Sequence, residues 1–428
     1  MMARPPVQIQ NYRRDRRPAT LGRMTTLETP PDTTTRPITD GPITDGPSTD
    51  DPITDDEALA LAARVGRVAA EFDAGHDRDA TFVTEAYDEA HACGYLRLAV
   101  PTELGGLGAS MRQVVLAEEE LGRHSGAAAL AAAMHLYLTL VQCWRRRRGA
   151  PDAEGVLRKI AADRLVMATS GGSDWVSPST TAVEVPGGYR LDGRKQFCSQ
   201  APVAGVISTS ATLGEPGPDA VVLHAGVPLS SPGVSIVETW DTLGMRGTAS
   251  HDVVFDGVFL PAEKVVGKRP YGVLAGPLLA AAIHFAPVAG AAYLGVARGA
   301  CDVAERLVAR KGEPAPAAVR QIGEMRARLR VARWALLGAV ADMGDDPALD
   351  EATLATVMTA KRHAVVEARA VVDTALEVAG GAAFYRRSPL ERAYRDVRGG
   401  PFHPLTPEAT LELLGRRALA SVSTAAGA

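Results

Sequence analysis

The sequence predicts an α+β protein: an N-terminal helical domain, a middle antiparallel β domain (barrel or sandwich) and a C-terminal four-helix bundle. Two changes of texture carry this prediction. Helical periodicity through the first third gives way, between Leu165 and Pro261, to short β-branched runs separated by turn residues. After Pro261, long segments rich in Ala, Leu, Val and Arg return.

Taken in order, the chain opens with a tail. From Pro37 to Asp56 a five-residue unit repeats as PITDG, PITDG, PSTDD, PITDD, with a proline in each unit and almost no large apolar side chain. Such a segment cannot offset its ordering entropy, so residues 1–56 are expected to be disordered. Arg13, Arg14, Arg16 and Arg17 precede no apolar run, so the start does not read as a secretory signal, and Met24 is an alternative start.

Residues 57–164 form the first domain. Leu59, Leu61, Val65, Val68 and Phe72 recur at helical spacing, as do the Ala and Leu residues from Met111 to Trp144. A glycine-rich elbow, Gly94 to Gly108, separates these runs. Residues 165–270 form the second domain, with strands expected at Thr181–Val185, Tyr189–Leu191, Val206–Ala211, Ala220–Val227, Val234–Glu238 and Asp252–Phe259, and turns at Pro186-Gly187-Gly188 and Asp192-Gly193. Residues 271–428 form the third, with helices expected near 272–311, 315–345, 350–380 and 406–422. Gly272 to Ala297 carries no Asp, Glu, Lys or Arg and is a formal membrane-span candidate. Gly276-Pro277, His284 and Pro287 interrupt it, so a pair of core helices is expected instead.

At 428 residues with a net charge of -4, the chain has ample apolar material and no footprint for nucleic acid or an anionic membrane. A small molecule or another protein is the expected partner. Cys93, Cys143, Cys198 and Cys301 are far apart and lack metal-ligand spacing, which argues against disulfides and zinc and for a reducing cytoplasm.

Several segments, in order, resemble the acyl-CoA dehydrogenase superfamily over about residues 57–425. Leu98 to Gly108 is similar to its P-E-x-G-G-x-G elbow, and Thr169-Ser-Gly-Gly-Ser-Asp174 to its flavin-facing loop with two residues fewer. Tyr189 to Ser199 resembles the strand that lines the flavin ring. Thr242 to Ser250, then Val253 to Pro261, follows LGMRGTxS…VxFDDVxVP.

A redox flavin takes donors at its polar edge, an aromatic or apolar wall, and contacts to its phosphates. Thr169, Ser170 and Ser173 can donate hydroxyls, Phe197 can wall the ring, and Ser199 can reach the flavin or its adduct. The resemblance implies FAD or FMN as cofactor. It places Arg310 at a neighbouring subunit's pyrophosphate, and Glu377, Gly380 and Gly381 at the adenine end, Glu377 departing from the usual Gln. It implies a homotetramer or homodimer, because subunits of this fold complete each other's flavin sites.

The departures are equally informative. In the family an Arg-Asp pair is followed at fixed spacing by Tyr-Glu-Gly-Thr, whose Glu removes the α-proton of an acyl thioester. Counting from Arg395-Asp396 reaches His403-Pro404-Leu405-Thr406, so the base position is Pro404. The alternative base position in a second subgroup falls on His284, Phe285 and Ala286, which also lack a carboxylate. The two-component flavin monooxygenases of the superfamily carry a His where dehydrogenases carry Tyr-Glu, and His403 fits it, with His135 and Ser199 as further candidates. An imidazole can donate to a peroxide oxygen of a hydroperoxyflavin and recover its proton from solvent.

The resemblance therefore implies a monooxygenase of a small organic substrate, using molecular oxygen and reduced flavin from a separate reductase. The absence of a G-x-G-x-x-G nicotinamide fingerprint agrees with an external reductase. The alternatives are an acyl-thioester dehydrogenase whose base lies elsewhere, with Glu408 as candidate, and an inactive scaffold of the same fold. Plainer readings stand beside these. His403 can cap the last helix, His135, His251 and His284 can be satisfied core histidines, and Arg145 to Arg148 can be a solvated helix end or a greeting to an acidic partner.

Overall fold

A computed structural model of the chain describes residues 52–310 and 312–426. The tail through Asp51 lies outside the described residues. The last repeat unit, Pro52 to Asp56, does not share the expected disorder. Its Thr54 caps the first helix in a reciprocal box with Glu57, and Ile53 packs on the core.

The helical part opens with α1 (Asp55–Asp79), α2 (Thr84–Cys93), α3 (Met111–His124), α4 (Gly126–Arg147) and α5 (Ala153–Ala162). The β domain follows with β1 (Met167–Thr169), β2 (Thr181–Val185), β3 (Gly188–Cys198), β4 (Val206–Leu213), β5 (Val221–Pro228), β6 (Val234–Val237), β7 (His251–Pro261) and β8 (Val265–Pro270). The bundle is α6 (Gly276–Ala309), α7 (Pro316–Met343), α8 (Glu351–Ala379), the short α9 (Pro389–Asp396) and α10 (Pro407–Ala426).

The strands make one sheet in the order β6-β7-β3-β2-β4-β5-β8, with β1 paired to β4. Most pairs are antiparallel, as expected, but β4 runs parallel to both β1 and β2. The first was hidden because β1 is only three residues long and lies at the entrance to the glycine loop, the second because β2 and β4 meet through only two residue pairs at their ends.

One correction concerns α6, which is a single 34-residue helix with Pro287 inside it rather than two helices. Proline removes one backbone donor, but its neighbours on this helix are buried on nearly all sides, and packing outweighs the local loss. Close approach does the rest. A Cβ on Gly295 would lie 2.3 Å from Glu119 O, so only glycine lets α6 meet the α3 backbone. Both helices long and apolar enough to cross a membrane, α4 and α6, are buried within the fold.

Two hydrophobic clusters result, one inside the sheet and one shared by the N-terminal and C-terminal helices. The loop after β1 meets the end of β3 through Gly171 and Phe197, and the segment after α9 through Gly172 and Pro404.

Candidate active site

The glycine loop after β1 is built against the end of β3. Gly171 N–H donates to Gln196 O at 2.9 Å, and a Cβ on Gly171 would lie 2.5 Å from Phe197 Cβ. The register of β3 against β7 slips between Lys195 and Cys198, which puts Phe197 at φ 58°. A left-handed aromatic residue is strained, and the strain turns the ring outward. Phe197 is 48% exposed, with its ring 5.9 Å edge-on from Trp240. Beneath the loop, Asp174 forms a buried ion pair with Lys195. That pair explains the Asp that ends the loop motif: it staples the loop to β3.

Ser199 lies in a chain of hydroxyls. Its Oγ is 2.8 Å from Ser250 Oγ, which is 2.7 Å from Thr248 Oγ1, and Thr248 donates to Met245 O at 2.9 Å. A carbonyl oxygen only accepts, so the direction propagates: Thr248 accepts from Ser250, and Ser250 accepts from Ser199. The Ser199 proton is thereby committed inward, leaving an oxygen lone pair for a ligand.

The segment after α9 carries His403. Arg395 pairs with Asp77 and Glu391, and Asp396 Oδ1 accepts from Met245 N–H at 2.6 Å. Gly244 makes this possible, since a Cβ there would lie 2.4 Å from Arg395 C. The Arg-Asp pair is thus a clamp between the LGMRG loop and the bundle, and burial pushes Asp396 up to about 7. Beyond it, Pro404 packs on Gly172. Half-buried His403 stands between Phe285 and Tyr293, each ring centroid 5.6 Å away, with Nε2 2.8 Å from Tyr293 Oη. Burial first, and then the Lys361 charge, push His403 down to about 3, so its ring is neutral.

The other predicted residues fall elsewhere. His135 is 0% exposed, and both ring nitrogens serve the backbone: Nε2 is 2.7 Å from Leu96 O, and Nδ1 accepts from Met167 N–H at 3.1 Å. It pins the elbow to β1, and burial lowers it to about 4. His251 Nδ1 likewise accepts from the N–H groups of Thr239 and Trp240. Arg310 caps α6 and is exposed, while Gly380 caps α8 at φ 72° beside Gly381. Gln321 donates to Glu377 at 3.4 Å, joining the end of α8 to the first turns of α7. Arg310, Glu377, Gly380 and Gly381 do not meet the Thr169 to Ser199 cluster of the same chain in any contact among the described residues. Ser173 lies in the loop, and its side chain is outside the description. Glu408 is exposed in the first turn of α10. The Arg145 to Arg148 run is engaged internally, by Asp152, Glu103, Glu154 and Asp346.

A cavity of about 330 Å³ opens between α4, the glycine loop, β4–β5 and the start of α6. Tyr137 and Trp175 form its aromatic wall, and Phe285 packs on both, at 5.4 and 5.9 Å, and on His403 at 5.6 Å. The facing wall is polar. Thr209, also on this wall, has its Oγ1 buried without a hydrogen-bond partner among the described residues. Nearby, His224 accepts from Arg269 Nε at 3.1 Å; burial and that guanidinium push it down to about 3.

The N-terminal, middle and C-terminal acyl-CoA dehydrogenase domains match residues 55–144, 168–258 and 287–407. The chain belongs to the acyl-CoA dehydrogenase family. Among its relatives is the amino sugar nitrososynthase DnmZ of Streptomyces peucetius, 34% identical over 77% of this chain and 84% of DnmZ. Another is the putative acyl-CoA dehydrogenase YdbM of Bacillus subtilis, 30% identical over 84% of this chain and 96% of YdbM. Among solved structures, KijD3 in complex with FMN and dTDP-3-amino-2,3,6-trideoxy-4-keto-3-methyl-D-glucose superposes with a TM-score of 0.74. It is 31% identical, over 85% of this chain and 92% of KijD3.

As a member of the acyl-CoA dehydrogenase family, the chain is a flavin-dependent oxidoreductase using FAD or FMN. The residues present fit that group: an outward Phe197 ring, the hydroxyls of Thr169 and Ser170, and a lone pair at Ser199. Sequence reasoning missed Tyr293, Lys361 and Thr209. Lys361 did carry a signal, since it stands at a position of α8 where the periodicity asks for an apolar side chain. Thr209 carried none, because a threonine in a strand is ordinary.

Proposed function

We propose that the chain is a flavin-dependent oxygenase that transfers oxygen to the amine of a nucleotide-linked amino sugar. A bound reduced flavin supplies the electrons that activate molecular oxygen. One oxygen atom goes to the substrate nitrogen, the other leaves as water, and the reduced flavin is oxidised. A separate reductase restores the reduced flavin, and the Arg310 and Glu377 to Gly381 end of the bundle serves a neighbouring subunit's cofactor.

The observation that carries the reading is Pro404, in the place of the dehydrogenase base. α-Proton abstraction from a thioester needs a base at the reacting carbon, and the dehydrogenases of this family use a carboxylate there. Asp174 is the one carboxylate among the described residues lining the cavity, and it is paired with Lys195. N-Oxygenation needs no such base. It needs a dry pocket and a donor to hold oxygen; the aromatic wall favours the first, and the donor in this reading is His403, which packs on Phe285 rather than lining the cavity.

The polar wall supports a sugar-bearing substrate. Ser208, Thr209 and Ser210 present hydroxyl-bearing residues where an acyl chain wants apolar contacts. The similarity to DnmZ and to sugar-nucleotide-bound KijD3 points the same way. YdbM supports the acyl-thioester alternative, which predicts bleaching of bound flavin by acyl-CoA without oxygen. The deciding experiment supplies a flavin reductase, oxygen and a panel of dTDP-linked amino sugars, and in parallel mixes the protein anaerobically with acyl-CoA thioesters. An oxygenated sugar product with no bleaching supports the proposal; bleaching with no oxygenated product overturns it.

A further inference from the structure

Lys361 is 1% exposed on α8, where Met358 and Val365 on the same face are buried apolar residues. Its Nζ donates to His403 O at 2.6 Å, Pro404 O at 3.3 Å and Leu405 O at 2.8 Å. An ammonium has three protons, and each finds one carbonyl. No carboxylate pairs with Lys361 among the described residues, and burying an ammonium away from water and carboxylates is costly. A methionine fills the same volume without that cost, so packing alone does not account for a lysine here.

What the lysine holds is the backbone that carries His403. Tyr293 then holds the ring. Tyr293 Oη is buried and has no other acceptor among the described residues, so its O–H donates to His403 Nε2. A neutral ring that accepts at Nε2 carries its proton on Nδ1. His403 Nδ1 has no hydrogen-bond partner among the described residues, so its N–H remains available to a ligand.

We infer that Lys361 and Tyr293 are positioning residues that fix His403 in one place and one tautomer, so that it presents Nδ1–H to the oxygen chemistry. Lys361 acts on the backbone through three consecutive carbonyls, and Tyr293 acts on the imidazole. The use of that N–H rests on the oxygenase reading above; the positioning does not.

Two measurements separate these parts. Long-range proton–nitrogen spectra of histidine-labelled protein, with His403 assigned through His403→Ala, read the tautomer without turnover. The wild type is expected to show one neutral His403, protonated on Nδ1, from about pH 5 up to about pH 7, the point to which burial pushes the Lys361 ammonium down. Lys361→Met is expected to give a mixture of tautomers, and Tyr293→Phe a shift toward protonated Nε2. An unchanged His403 signal in both folded variants overturns the inference, and melting curves establish folding. Should Lys361→Met not fold, Lys361→Gln and Tyr293→Phe carry the test.

The second measurement mixes protein containing reduced FMN or FAD with oxygen and follows flavin reoxidation. Lys361→Met is expected to accelerate reoxidation several-fold, and to add nothing in a His403→Ala background. Additive effects contradict action through His403. Reoxidation as fast as that of free flavin in the wild type, with the tautomer result intact, defeats the oxygenase reading and leaves the positioning in place.

Discussion

A Cβ on Gly172 would lie 2.3 Å from Pro404 Cδ, so the glycine of the flavin loop and the proline in the base position are built against each other. The proline is therefore more than the loss of a carboxylate. Its ring closes a contact that a longer acidic side chain cannot make.

Gly172→Ala is expected to force the loop away from Pro404, at a cost of about 1–3 kcal/mol. Melting temperature and flavin affinity should fall together. Gly338→Ala, exposed on α7 where an added Cβ meets nothing, should hold stability or raise it by up to about 1 kcal/mol and leave flavin affinity unchanged. Equal effects at the two sites would show that the Gly172 contact does not matter.

Pro404→Glu is expected to create no acyl-CoA dehydrogenase activity, because the new side chain has to displace the loop before it can reach a substrate. Glu408→Gln should leave turnover within about twofold, since Glu408 is exposed on α10. Anaerobic bleaching by acyl-CoA that disappears in Glu408→Gln would contradict the second statement, and bleaching gained by Pro404→Glu would contradict the first.

The hydroxyl chain gives a redox prediction. With Ser250 present, Ser199 offers a lone pair, which suits an N–H of reduced flavin better than the bare ring nitrogen of oxidised flavin. Ser250→Ala frees the Ser199 proton to point outward. The ratio of oxidised to reduced flavin affinity should then rise by roughly 5–10-fold, one hydrogen bond being worth about 1 kcal/mol. Titration of both redox states into the two proteins reads it directly, and an unchanged ratio would remove Ser199 from contact with the flavin.

Acid should destabilise the fold through its buried histidines. Burial lowers His135 and His284 to about 4, and His224 and His403 to about 3. The unfolded chain takes up these protons near pH 6.5 while the folded chain does not, so their stability contribution is full above pH 6.5 and is lost as pH falls toward 3–4. Each group steepens the loss by up to about 1.4 kcal/mol per pH unit. His284 Nε2 is buried without a partner among the described residues, so His284→Leu should keep or raise neutral-pH stability and flatten the acid slope. A melting temperature independent of pH between 7 and 4 would contradict this.

The sequence made much of the fold legible because periodicity is a local signal. The strands at Thr181–Val185 and Asp252–Phe259 and the bundle helices fall close to where the pattern placed them. It failed at Pro287, where burial on nearly all sides overrides a local helix breaker, and at β1, which three residues and a parallel partner conceal. At the site, Pro404 in the place of the dehydrogenase base was readable by position. The inward proton of Ser199 was not, since it depends on Thr248 and Ser250 across a turn, and the two backbone partners of His135 come from distant segments.

The most direct test of the central claim is turnover of a dTDP-linked amino sugar under isotopically heavy molecular oxygen, with a flavin reductase supplying reduced flavin and the product read by mass spectrometry. The account predicts a heavy oxygen atom on the product nitrogen, and loss of that label with release of hydrogen peroxide in His403→Ala. An unlabelled product, or an acyl thioester desaturated equally well without oxygen, would contradict it.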